Sequence, residues 1–142
     1  MSELDILLRL VVATALGGII GYERESFHKP AGLRTHIFVT LGAALFTVIS
    51  IAGFVEFTDS YSIDPTRIIA AILTGIGFIG AGVIIHRADH HVEGITTAAG
   101  LWVASGIGIA VGMGMYLIAT VTVLISLVVF LGIEKLKPER KG

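Results

Sequence analysis

Cysteine is missing altogether from this 142-residue chain, which removes disulfides, cysteine-ligated metals and thiol nucleophiles. Charge is scarce as well: Asp, Glu, Lys and Arg make up 15% of the residues, where a soluble domain carries about 25%. The net charge is -1 and the bases do not gather into one large patch, so nucleic acid is not an expected partner. No basic segment opens the chain. Glu3 and Asp5 stand where a signal peptide would be positive, so the first apolar run reads as a retained span.

What is present in quantity is apolar length. The hydrophobic fraction is 54% and the mean hydropathy is +0.89. A membrane span needs about 20 mostly apolar residues, because each adds about 1.5 Å and the hydrocarbon core is about 30 Å thick. Leu4–Tyr22 meets this, interrupted only by Asp5 and Arg9. Gly94–Ile133 carries no charged side chain, and as one helix it would be about 60 Å long, so it must fold back. Gly112-Met-Gly114 offers the turn. The expected architecture is therefore an all-α integral membrane protein. It is a single domain over 1–142, with five spans at about 4–22, 36–55, 66–86, 95–111 and 115–134. Period-2 alternation is lacking, which excludes a barrel. Asp64-Pro65 reads as an acidic cap opening span three.

Lysine and arginine counts set the expected orientation. Eight of them fall on the side of the first loop, the third loop and the C-terminus, from Arg24 to Lys141. Arg67 alone falls on the other side, with Arg9 inside span one. The N-terminus is expected outside and the C-terminus in the cytoplasm.

Glycine is concentrated: ten of the 18 lie between Gly75 and Gly114. Small residues let helices approach closely in lipid, so these are read as packing positions. Gly100, Ala104, Gly108 and Gly112 make a smooth ridge on span four; Ala13, Gly17 and Gly21 make one on span one. Ridge surface left over on these spans would serve a homo-oligomer. Gly75 and Gly82 share one face of span three and Gly77 and Gly80 nearly the opposite one, which places that helix at the centre of the bundle. Gly75-Ile-Gly-Phe-Ile-Gly80 also spells the dinucleotide pattern, but inside an apolar span it lacks the strand and the acid that pattern requires.

The charged residues form three groups. Arg9 is costly within a span and is expected to pair with Asp5 on its own face, or to meet Asp64 and Arg67 and so fasten spans one and three. Glu23, Arg24, Glu25, Lys29 and Arg34 crowd the first loop, either as a Glu23–Arg34 structural pair or as a recognition surface for a protein, headgroup or small anion. His28 and His36 are expected at the interface. The third group, His86-Arg-Ala-Asp-His-His-Val-Glu93, has metal-binding residue types without a firm ligand spacing, and reads first as a solvated loop. No cofactor or metal is expected. No nucleophile, base and acid share a plausible depth, so no enzyme is expected either.

Gly17-Gly-Ile-Ile-Gly-Tyr-Glu-Arg-Glu25, Lys29-Pro-Ala-Gly-Leu-Arg-Thr-His36, Asp64-Pro-Thr-Arg67, Gly75-Ile-Gly-Phe-Ile-Gly-Ala-Gly-Val83 and Gly94-Ile-Thr-Thr-Ala-Ala-Gly-Leu-Trp-Val-Ala104 resemble the MgtC/SapB membrane family, in family order and over nearly the whole chain. The resemblance implies a five-span protein of the bacterial inner membrane. It also implies regulation of a membrane partner during magnesium limitation, stress or host survival, with the proton-driven ATP synthase as one such partner. Two departures stand out. Virulence-type members continue into a soluble C-terminal domain where this chain ends at Gly142, and Glu93 stands where the family usually has a basic residue. The alternative is a transporter or channel for Mg2+, protons or a small solute. Against it, magnesium needs oxygen ligands, and no acid lies deep in a span.

Overall fold

The computed structural model describes residues 1–53, 64, 66–86 and 92–136. Five helices run in order: α1 (Glu3–Ser26), α2 (Leu33–Ala52), α3 (Thr66–Val83), α4 (Ile95–Gly112) and α5 (Tyr116–Leu136). The first four are long and apolar enough to cross a membrane, and Tyr116–Gly132 adds a shorter apolar helical stretch. Between α3 and α4 sits a detail unexpected from the sequence, a small antiparallel ladder. Its strands β1 (Ile85–His86) and β2 (Val92–Glu93) pair Ile85 with Glu93 and His86 with Val92.

Local chemistry sets the helix ends. Ser2 caps α1 by accepting from the Asp5 amide at 3.2 Å, with Glu3 and Asp5 in the favourable first turn. α1 runs past its expected end at 22 and stops only where His28 enters the left-handed region, at φ +52. There the His28 amide donates to Glu25 O and the Lys29 amide to Arg24 O, the paired bonds of a Schellman motif. The α4–α5 turn uses the same motif with the residue best suited to it, Gly114 at φ +80.

Packing follows the small-residue ridges, though not to the expected centre. α4 contacts α1, α2, α3 and α5, whereas the contacts of α3 are chiefly with α4 and α2. Half of α4 is buried against 11% of α3. The expectation that span three is central is therefore corrected. Among the described residues nothing lies within 4 Å of where a side chain would start at Gly75, Gly77 or Gly82, and Gly80 alone faces a neighbour, Ala98 at 3.5 Å. Three of the four glycines on α3 thus meet open space among the described residues rather than the two neighbours a sandwiched helix would have.

The ridges on α1 and α4 both close on α2. A methyl at Gly17 would strike Thr40 Oγ1, and one at Gly21 would lie 2.7 Å from Leu33 Cα. From α4, a methyl at Gly108 would strike the Thr40 carbonyl, and one at Gly112 would lie 2.6 Å from Thr47 Cβ. Those ridges are spent inside the chain and leave little surface for self-association. Thr40 and Thr47 sit in the contact because each hydroxyl donates back to its own helix, to His36 O at 2.9 Å and Ala43 O at 2.7 Å. Ala13, Leu16, Ile20, Ile107, Val111, Ala119 and Val123 fill the apolar core around them.

Candidate functional site

At the end of the bundle where α1 meets α2, charge is buried rather than displayed. Glu23 and Arg24 are 8% and 3% exposed, and the Arg24 guanidinium grips the Glu23 carboxylate with two hydrogen bonds. Its other face lies 3.8 Å over the ring of Phe130 on α5, a cation–π contact of the desolvated kind. The expected Glu23–Arg34 pair does not form. Because α1 continues to Ser26, residues 23 and 24 lie within a helix covered by α5, and the nearest cation that shares this dry site is Arg24 itself.

Beside this pair, His36 is fully buried instead of interfacial, a second correction. Its Nδ1 lies 3.0 Å from Gly32 O, while Nε2 has no hydrogen-bond partner among the described residues. A methyl added at Gly100 would stand 3.1 Å from Phe130 Cζ and 4.0 Å from His36 Nε2. Gly100 thus makes room for polar side chains of α1 and α2 to lie against Phe130 of α5. Nothing in the residue types marked Phe130 for this role. The one clue to His36 was its place at the start of a long uncharged run.

The connection from α1 to α2 is clamped. Gly32 heads α2 without a side-chain cap, and Glu25 Oε2 replaces one by accepting from the Leu33 amide at 2.8 Å. A side chain at Gly32 would meet that oxygen at 2.7 Å, so the Glu25 carboxylate would have to shift to admit one. What the clamped loop displays is Phe27 and His28, flanked by Tyr22 of α1, 69% exposed, and Arg34 of α2, while Lys29 is half-buried. Among the described residues no hydrogen bond or ion pair engages Arg34. Glu23 and Arg24, expected on a recognition surface, are withdrawn from it.

The opposite end carries Arg9. It pairs with Asp5, Nη2 to Oδ2 at 3.0 Å and Nε to Oδ1 at 3.3 Å, and its Nη1 donates to the Gly112 carbonyl. A cation at the last carbonyls of α4 meets the negative end of that helix. The expected link between spans one and three is corrected: Arg9 fastens α1 to α4. Asp64 instead caps α3, accepting from the Thr66 amide at 2.9 Å and the Thr66 hydroxyl at 2.6 Å. Those bonds, the hydroxyl first, hold the Asp64 carboxyl below its ordinary range. Arg67 is exposed. Of the metal-like segment, residues 87–91 lie outside the described residues. Among the described ones no three His, Asp or Glu residues come together.

A bundle of apolar helices with charge confined to its two ends defines a multi-pass membrane protein. The chain matches the MgtC family model over residues 10–138, and it belongs to that family. It is 42% identical to Protein SapB of Bacillus subtilis (strain 168), covering 96% of this chain and 61% of SapB. The protein named "Putative magnesium transporter YhiD" of Escherichia coli (strain K12) is 43% identical over 79% of this chain and 53% of its own length. Protein MgtC of Brucella abortus (strain 2308) is 46% identical over 69% of this chain and 38% of its own. The chain thus spans about half the length of these relatives. No solved structure matches it.

Proposed function

We propose that this chain is a non-enzymatic regulator of the bacterial inner membrane, oriented with the α1–α2 loop in the cytoplasm, that acts by contact with a membrane partner. The single observation that carries the reading is the clamped loop. Glu25 fixes it to the α2 amide, and it presents Phe27 and His28, beside Tyr22 at the end of α1, at fixed positions next to a buried Glu23–Arg24 pair whose charges answer each other. Rigid aromatic side chains at a water interface lose little entropy on binding, which suits a docking surface. The partner class implied by the family resemblance is the proton-driven ATP synthase, under magnesium limitation, stress or host survival.

The second reading is ion transport, favoured by the name of the YhiD relative. Against it, α1, α2 and α4 meet backbone to side chain at Gly17, Gly21, Gly108 and Gly112, where a path through the bundle would run. The test is Mg2+ and proton flux into liposomes holding the purified, folded protein, beside an Arg9→Ala variant. Flux no greater than in protein-free liposomes is expected. Saturable flux that changes with Arg9 would replace regulation by transport.

A further inference from the structure

A long groove runs between α2 and α3 with Ser105 of α4 at its floor, and its volume is about 790 Å³. Its walls are apolar, built from residues such as Phe38, Phe46, Ile72 and Ile79, and among the described residues it carries one charge, Arg34, at one end. Along α2 the distance from Arg34 to Phe46 is about 18 Å at 1.5 Å per residue, close to the ~15 Å depth of one leaflet's hydrocarbon. Gly42 and Gly75 line the slot, and among the described residues nothing lies within 4 Å of either position.

We propose that this groove holds an acyl chain of an anionic phospholipid, with the headgroup phosphate bound by Arg34. The charge complementarity is specific in position: the guanidinium lies at the end of an otherwise apolar slot, at the depth where a headgroup meets its chain. Arginine's planar fork suits a phosphate, and the exposed Arg34 has its donors available to a ligand from the bilayer. A second copy's helix would fill the slot as well, but nothing in its packing would call for a cation at one end. This inference does not rest on the regulatory reading, since a transporter would carry the same groove.

The test uses the full chain, stripped of lipid in a zwitterionic detergent, with native mass spectrometry and thermal unfolding as readouts. Phosphatidylglycerol and phosphatidylcholine with identical chains are added separately, and inorganic phosphate alone is a third arm. One phosphatidylglycerol retained per chain is expected, with at least tenfold preference over phosphatidylcholine. Arg34→Gln should abolish the preference while leaving weak binding of both lipids. Gly75→Leu should fill the slot and abolish both, and Gly42→Leu serves the same end from the other wall if Gly75→Leu does not fold. The proposal is overturned by equal retention of the two lipids or by an unchanged preference in Arg34→Gln. It is also overturned if inorganic phosphate alone gives the whole stabilisation, or if Gly75→Leu alters the oligomeric state but not lipid retention.

Discussion

Arg24 concentrates the residue-scale physics of this protein, because it answers Glu23 with its donors and Phe130 with its face while both acid and base are out of water. Removing one member of a buried pair leaves the other charge uncompensated, at a cost of about 3–5 kcal/mol. Arg24→Ala should therefore lower the unfolding midpoint in detergent sharply, and Glu23→Gln combined with Arg24→Gln should recover part of the loss. A double variant no more stable than Arg24→Ala would show that the ring contact, not the pair, matters most. Asp64 behaves oppositely because it is exposed. Its carboxyl is held low by bonds from Thr66 to the charged form. The cap therefore contributes fully above the ordinary carboxylate value of about 3.9, and its contribution is lost as pH falls through the lower folded value. Unfolding midpoints followed from about pH 5 to pH 2 should show a component that Asp64→Asn removes. Neither the burial of the Glu23–Arg24 pair nor that of His36 was legible in the sequence, since both depend on α5 and α4 arriving from far along the chain.

Among the elements, α2 and α4 carry the bundle and α3 stands at its edge. The glycine ridges of α1 and α4 were readable from their four-residue spacing alone, as was the turn around Gly114. Which helix they grip was not, because a smooth face says only that something approaches closely. On α3 the same pattern led to the wrong place: glycines on two opposite faces predict a sandwiched helix, yet three of the four look outward. The consequence is a pair of opposed outcomes. Gly108→Leu drives a side chain into the Thr40 carbonyl and should cost about 1–3 kcal/mol or more, or prevent folding. Gly77→Leu meets open space and should stay within about 0.5 kcal/mol of the parent. Thermal unfolding of the two variants side by side decides it, and a large loss in Gly77→Leu would return α3 to the centre.

At the scale of the whole molecule, Arg9 joins the start of α1 to the end of α4, two points 103 residues apart. Arg9→Ala should lower stability by about 1.5–3 kcal/mol, the range for a hydrogen bond to a charged group, without opening any ion path. Arg9→Lys, which keeps the charge but not the fork, should recover only part of the loss. Composition and run length by themselves determined that the chain is a membrane helix bundle, because lipid satisfies no backbone group and only apolar helices of this length persist there. Capping chemistry determined the start of α3. The tertiary structure alone decided that α4 is central, that Glu23 and Arg24 are buried, that Arg9 latches α4, and that a groove opens between α2 and α3. Each of these is a matter of which faces meet, and helices of nearly uniform hydropathy carry little amphipathic pattern from which that choice can be read.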